Sequence, residues 1–452
     1  MKFSPRMLNA LRWLGLLEAA LAAGLGLFGE ELFYLPPRVR PALAALVCGG
    51  AAFAAYSWFS TRKLLIPAVS AGILAIGAAN LALSVVWGAR YAATLEPDSD
   101  TLYRLIPGVE KLSRSPDGEW IRWRVNSRGF RGPEIRQDAP ATRIIVYGDS
   151  FVQADFSPVE DTFAAQLGDR LSGRLGSPVE AINGGVNGYG PDQCLRRMQR
   201  ELPELRPRLT LLVLFAGNDF GDLIRNRMYR LDAKGELTPN AFTMSRRLVR
   251  YFDGSRYRPV LLNTLDAAWR SWRAGRLMPD PLGQIDERQR EYNDYVAGGA
   301  NEVDNIGTDS SDLDMAVDPD RPAALYKIRL MEQVLARCAR AAEDNDSAFA
   351  VLIAGRAEDM AGDPAVNPAE FPDYRPSNLT DLLESIAGRQ QIPCLNTHAA
   401  FQRAGAGAVY FLANNDFHWN SAGQRLAAEL AAEFVTAGDR PLLGPPPRAG
   451  SQ

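Results

Sequence analysis

From Thr142 onward, short uninterrupted apolar runs alternate with longer amphipathic stretches, and that alternation leaves the chain few folds to choose from. The runs are Arg143–Tyr147, Val179–Ile182, Leu209–Phe215, Phe349–Ile353 and Ile392–Asn396. An apolar run without polar alternation is the mark of a strand buried on both faces, as in a parallel sheet covered by helices. The intervening segments carry helix signals. Pro191 follows Gly190, a first-turn placement for a helix running toward Arg200. Leu325, Ile328, Met331, Leu335 and Cys338 fall on one helical stripe, and Ser421 with Gln424 has the spacing of a capping box. The expected architecture is a three-layer α/β/α sandwich with a parallel sheet.

The first ninety residues are of another kind. Apolar stretches run from Trp13 to Gly29, Pro41 to Phe59 and Leu64 to Gly88. A bilayer core needs about 20 apolar residues per helix, which the second and third supply. The first is shorter and carries Glu18. A cleaved signal peptide would account for it alone, but two spans would still follow. Lys2, Arg6, Arg12, Arg62 and Lys63 outweigh Arg38 and Arg40 in setting the orientation, with the N-terminus inside. Three crossings then place everything after Arg90 outside the cytoplasm. The expected organisation is a segment of three transmembrane helices (1–89), a connector with one short strand at Trp120–Val125 (90–140), a main α/β domain (141–440) with an insertion (221–323), and a disordered tail (441–452). The insertion leaves the strand end that carries Asn218 and is expected to overhang that end as a lid. Its acidic residues Glu302, Asp304, Asp309, Asp312, Asp314, Asp318 and Asp320 lack the spacing of an EF-hand loop and are read as solvated.

Of the 452 residues, 46 % are hydrophobic and the net charge is −3, with no basic patch interleaved with aromatics, so nucleic acid is not an expected partner. Cys48, Cys194, Cys338 and Cys394 form no C-x-x-C pair and no zinc spacing, and are read as buried unpaired thiols, with a disulfide between two of the last three as the open alternative.

Chemistry concentrates at the ends of the expected strands. Ile144-Ile145-Val146 stops at Gly148-Asp149-Ser150, which puts a hydroxyl at the carboxyl end of a buried strand. Asn183-Gly184-Gly185-Val186-Asn187-Gly188, Gly217-Asn218-Asp219 and Asp416-Phe417-His418-Trp419 follow in order. A serine hydroxyl is a weak nucleophile unless a base reaches it and donors hold the developing oxyanion. The chain has two histidines. His418 has Asp416 two residues before it and is the expected base. His398 is read as structural. The expected oxyanion donors are the backbone N–H of Ser150, the backbone N–H of Gly188 and the side-chain amide of Asn218. Gly184, Gly185 and Gly190 are read as shaping turns, and Asp149 and Asp219 as fixing their loops through backbone hydrogen bonds.

These four blocks resemble those of the SGNH, or GDSL-type, esterase/lipase superfamily, over about Asn126 to Val435 without the insertion. The resemblance implies a flavodoxin-like fold, Ser150 as nucleophile, Asp416 and His418 completing a triad, Gly188 and Asn218 as oxyanion residues, and no cofactor or metal. The family commonly spaces its acid three residues before the histidine, whereas position 415 here is Asn415. The two-residue spacing followed by Trp419 resembles a branch with polysaccharide O-acetyltransferases of the alginate type, although in those the Asp-His pair precedes the serine.

The leading expectation is a membrane-anchored serine esterase of the inner membrane. It would face the periplasm or exterior and act on O-acyl esters of envelope glycans or lipids. The alternatives are an O-acyltransferase that passes the acyl group to a polysaccharide hydroxyl, and a non-catalytic envelope assembly factor on the same scaffold.

Overall fold

The structure is a computed structural model that describes residues 94–136, 142–246, 248–249, 281–298, 302–303, 312–360, 371–412, 417–438 and 441–444, with isolated residues elsewhere. The chain divides into two compact units. The first comprises Met1–Thr94 and Arg250–Pro279. Only scattered residues of it are described, among them Trp13, Leu46, Ile76 and Phe252, each helical. The expected transmembrane segment falls almost wholly outside the described residues. Among the described residues, no helix is long and apolar enough to cross a membrane.

The second unit, Leu95–Val249 with Asp280–Gln452, holds the sheet. It begins with two antiparallel hairpins. β1 (Leu95–Asp98) pairs with β2 (Leu102–Leu105), and β3 (Glu110–Arg114) with β4 (Trp120–Arg124). The connector therefore carries four strands where its sequence pattern marked one. β4 alternates cleanly between buried and exposed residues over its whole length.

The central sheet takes β5 (Thr142–Gly148), β6 (Val179–Gly185) and β7 (Leu209–Phe215). The insertion contributes three short strands, β8 (Tyr229–Leu231), β9 (Leu237–Pro239) and β10 (Thr243–Met244), and then β11 (Glu302–Val303). β12 (Ala348–Ala354) and β13 (Cys394–Asn396) complete the central sheet. Its order is β13-β12-β7-β5-β6, with every neighbouring pair parallel.

Alternation within the strands divides the core into two layers. Ile144, Val146, Leu211, Val213, Ala350 and Leu352 pack on one face into a cluster with Phe163, Leu167, Leu171, Ala428, Ala431 and Val435. The last six belong to helices α2 (Phe163–Leu175) and α10 (Ser421–Thr436), which follow the one-turn helix α1 (Ser150–Gln153) and close the domain respectively. On the other side of the sheet lie α3 (Pro191–Leu205) and α7 (Pro322–Glu343). Between those two come α4 (Asp219–Asn226), α5 (Pro281–Val296) and α6 (Leu313–Val317). α8 (Asn378–Arg389) and α9 (His398–Ala404) flank β13. This is the parallel three-layer arrangement expected from the sequence.

Strand order reverses at β5. The chain passes from β5 outward to β6, then returns past β5 to β7 and on to β12. In open parallel sheets the crevice at such a reversal is where ligands sit. Ser150 follows β5 and Asn218 follows β7, so the two flank that crevice.

Several local readings need correction. α10 is capped by Asn420, whose side chain accepts from the N–H groups of Ala422 and Gly423, so Ser421 is not its cap. Asn caps as well as Ser does, and it stands one residue earlier. Gln424 is thereby released to bridge two other elements. On α7, Leu325 is 42 % exposed while Lys327 is fully buried. The acidic segment is not solvated at Asp312 and Asp314. Both are buried, with Lys327 Nζ 3.6 Å from Asp312 and 2.8 Å from Asp314. A buried cation compensates them, as the cost of burying charge requires. Pro441 to Gly444, at the start of the expected disordered tail, includes a buried Leu443 whose N–H donates to Val435 O. The rest of the tail lies outside the described residues. Cys194, Cys338 and Cys394 are free thiols.

Candidate active site

Ser150 opens α1 directly after β5. Asp149 is the N-cap residue, its carboxylate accepting from the N–H of Phe151 at 2.9 Å. α1 makes a single turn, and Ala154 stops it in the left-handed region (φ 54°). Its last carbonyls are taken by a buried arginine. Arg131 donates to Gln153 O and Ala154 O, and to Ser157 O at 2.6 Å. β6 lies hard against this turn. A Cβ on Gly185 would stand 2.2 Å from the backbone nitrogen of Gln153, so no larger residue fits there. Gly184 and Gly185 lie within β6 rather than in a turn, and they serve close approach.

His418 arrives from the far end of the chain. Its carbonyl accepts from Phe411 N at 2.7 Å, and Phe417 N donates to Phe411 O at 2.8 Å. An antiparallel bridge between Tyr410 and Trp419 closes this small reverse structure. Phe417 holds a φ of 61°. An aromatic residue there costs about 1–3 kcal/mol and persists only where its surroundings enforce it. Trp419, fully buried, stacks on Phe401 and meets Phe151 edge-on. Gln424 ties the two regions, donating to Phe151 O at 3.1 Å and accepting from Phe163 N at 2.7 Å.

The result is that His418 Nε2 lies 2.8 Å from Ser150 Oγ, across 268 positions of sequence. Both side chains are half-buried. Phe151 packs against the imidazole with ring centroids 5.1 Å apart and against Phe215 at 4.6 Å, an apolar wall beside the pair. Asp416 lies outside the described residues.

The other two loops meet the same end of the sheet. Gly188 has a φ of 76°, which only glycine adopts freely, and it is exposed. Asn218 occupies the N-cap position of α4 but makes no side-chain cap bond, and its Oδ1 is buried without a partner. The capping task that would explain an asparagine here is therefore not performed. Asp219 accepts instead from Phe215 N at 2.8 Å and so braces the loop. Behind it, Asp312 closes the insertion onto the same loop. Its N–H donates to Gly217 O at 2.8 Å, and its carboxylate accepts from Gly221 N at 2.9 Å.

The acids beside the serine and asparagine loops, Asp149 and Asp219, are buried. Burial pushes the Asp149 carboxyl up, and the Phe151 N–H and the His418 imidazole oppose this. Burial, reinforced by Asp149 and Asp222, raises Asp219 further. His398 lies on β13's side of the sheet as the first residue of α9, buried, with Nδ1 unpartnered; burial lowers its pKa against the pull of Asp359. No group of three or more His, Cys, Asp or Glu among the described residues is placed to hold a metal ion.

Sequence reasoning missed the bridging roles of Arg131, Gln153, Gln424 and Tyr103, each buried and each hydrogen-bonded to the segments that carry Ser150 or Gly188. Only Gln424 stands in a motif, the capping-box spacing with Ser421, and its side chain bonds Phe151 and Phe163 instead. Their roles exist only once distant segments have met.

No protein-family model matches the chain, and no curated protein matches it. Among solved structures, one titled TesA is 14 % identical, covering 67 % of this chain and 100 % of its own at a TM-score of 0.32. A lipolytic G-D-S-L family protein from Desulfitobacterium hafniense DCB-2 is 11 % identical, covering 65 % of this chain and 99 % of its own (TM-score 0.31). The acetylxylan esterase Axe2 from Geobacillus stearothermophilus is 10 % identical, covering 67 % and 98 % (TM-score 0.35).

Proposed function

We propose that this chain is a serine ester hydrolase in which Ser150 attacks an acyl carbonyl, His418 moves the proton and Asp416 orients the imidazole. One observation carries the reading: the 2.8 Å approach of Ser150 Oγ to His418 Nε2 at the point of strand reversal. The hydroxyl donates to the ring nitrogen. As Oγ bonds to the carbonyl carbon, its proton passes to Nε2, and the carbonyl oxygen takes the negative charge. The backbone N–H of Ser150 and of Gly188 and the amide of Asn218 are the donors for that oxyanion. An Asn218 side chain without a cap bond supports this assignment. The imidazolium then protonates the leaving alcohol. Water, deprotonated by the same imidazole, releases the acid and restores Ser150.

The location belongs to the proposal too. The three apolar stretches before Arg90 support a membrane tether with the catalytic unit outside the cytoplasm, where O-acyl esters of envelope glycans or lipids would be its substrates.

The test is turnover of a short-chain p-nitrophenyl ester by the purified full chain. Ser150-dependent release of nitrophenol is expected, with Ser150→Ala and His418→Ala each at background. Equal rates in wild type and Ser150→Ala would refute the reading. Acyl transfer to an added oligosaccharide in preference to water would make the same site a transferase.

A further inference from the structure

We infer that Tyr103, in the hairpin preceding the catalytic domain, is a positioning residue that aims the Gly188 N–H into the oxyanion site. The inference rests on the hydrolase reading of Ser150, Gly188 and His418, and it adds a component from a segment that the sequence marks only as a connector.

The geometry is that of one residue, Asn187, held at both its N–H and its carbonyl. The N–H of Gly188 belongs to the same planar unit as the carbonyl of Asn187. In a trans peptide these two groups point in opposite directions. The structure contains no cis peptide bonds among the described residues. Tyr103 Oη lies 3.2 Å from Asn187 O and 2.8 Å from Gly188 O. A hydroxyl on the carbonyl side of the 187–188 peptide turns its N–H to the other side. From the preceding peptide, Asn187 N donates to Gln153 Oε1 at 2.7 Å. Gln153 is the last residue of α1, the turn that Ser150 opens. The Gly188 loop is thus fixed to the nucleophile's own helix by Gln153 and to the leading hairpin by Tyr103.

Tyr103 is itself held rigidly. It is 2 % exposed, its ring meets Tyr189 edge-on at 5.3 Å, and its carbonyl accepts from the Tyr189 hydroxyl. Gln193, in the first turn of α3, donates to Thr101 O at 2.8 Å and pins the turn between β1 and β2. The contact also leaves no room for substitution at Gly188, since a Cβ there would stand 2.8 Å from Tyr103 Oη. Burial and neighbouring acids push the Tyr103 phenol up, so it remains a donor throughout the working range of an esterase.

Loss of an oxyanion donor outright costs about 10²–10³ in kcat, and loosening one costs less. Tyr103→Phe keeps the ring and removes only the hydroxyl. We expect kcat for p-nitrophenyl acetate to fall about tenfold with KM within twofold of wild type. The affinity for an alkylboronic acid, whose Ser150 adduct places an oxygen in the oxyanion site, should fall in the same proportion. Tyr147→Phe, which removes a buried hydroxyl bonded to Glu201, is the control and should alter neither quantity. A Tyr103→Phe protein with lowered thermal stability but unchanged kcat and boronate affinity would overturn the inference, leaving Tyr103 a packing residue. If that variant does not fold, Gln153→Met probes the other hold and should show the same paired loss; no loss there overturns the inference equally. Wild-type protein without Ser150-dependent turnover would instead overturn the hydrolase reading, and the inference with it.

Discussion

Replacing Lys327 by methionine separates the buried ion cluster from the Gly217–Asp219 loop it supports. Lys327 is fully buried on α7, with Nζ 2.8 Å from Asp314 Oδ2 and 3.6 Å from Asp312 Oδ1. Methionine keeps the volume of the stem, so the loss is chiefly of charge. Removing one partner of a buried ion pair costs about 3–5 kcal/mol, because the remaining charge has neither solvent nor counterion. Two carboxylates are left here, although Arg225 also faces Asp312, so the middle of that range is expected. In a unit of this size, at about 2.1 cal/mol/K of unfolding entropy per residue, the loss corresponds to a fall of roughly 4–7 °C in Tm.

The effect has a defined pH dependence. Burial already holds the Asp312 carboxyl above its ordinary value even with Lys327 and Arg225 opposing, and loss of the lysine raises it further. A carboxyl whose folded pKa exceeds its unfolded one is bound to a proton first in the folded state. Its destabilisation grows as pH rises between the two values and vanishes below the lower. The Lys327→Met deficit should therefore be large at pH 7.5 and clearly smaller at pH 5. Urea unfolding followed by tryptophan fluorescence at both pH values gives the comparison. Adding Asp312→Asn and Asp314→Asn to Lys327→Met should recover most of the loss at pH 7.5. A deficit below about 1 kcal/mol, or one that increases toward pH 5, would refute the reasoning.

Three further outcomes are expected. Asn218→Ala should lower kcat about 10²-fold with little change in KM, measured on the p-nitrophenyl ester; a change confined to KM would remove Asn218 from the oxyanion site. Gly185→Ala should destabilise by about 3 kcal/mol or more, since its Cβ meets the backbone of α1 rather than a side chain that can swing away, and urea melts would show it. The wild type should gain stability as pH falls from about 7.5 toward 5. Burial pushes Asp192 up to about 7 and raises Asp149 and Asp219 as well, so each favours the folded state in its protonated form. A urea midpoint that falls steadily over that interval would contradict this.

What the sequence revealed and what it hid follow from the range of the forces involved. β5, β7 and β12 are buried on both faces, so nearly every residue must be apolar and the run is visible without knowledge of partners. Ser150 and Asn218 were readable because strand ends are marked by the change from apolar residues to Gly, Asp and Asn. The connector hairpins were not. β3 reads Glu-Lys-Leu-Ser-Arg, and what makes it a strand is its register with β4. Lys327 was invisible for a similar reason. A lysine on an otherwise apolar stripe signals an edge unless acids elsewhere in the chain are known to meet it, and Asp312 and Asp314 stood in a run of acids that composition alone assigns to solvent. Tyr103, Arg131 and Gln424 act on backbone groups 85, 22 and 273 positions away, and no local pattern encodes such pairings.

The claim on which the account turns is that the hydroxyl of Ser150 is activated by His418. A fluorophosphonate reports on this directly, because it bonds only to a serine made nucleophilic by a base. Incubation of the full chain followed by peptide mapping should place a single adduct on Ser150, with labelling lost in His418→Ala although the hydroxyl remains. An adduct elsewhere, or Ser150 labelled equally fast without the imidazole, would contradict it.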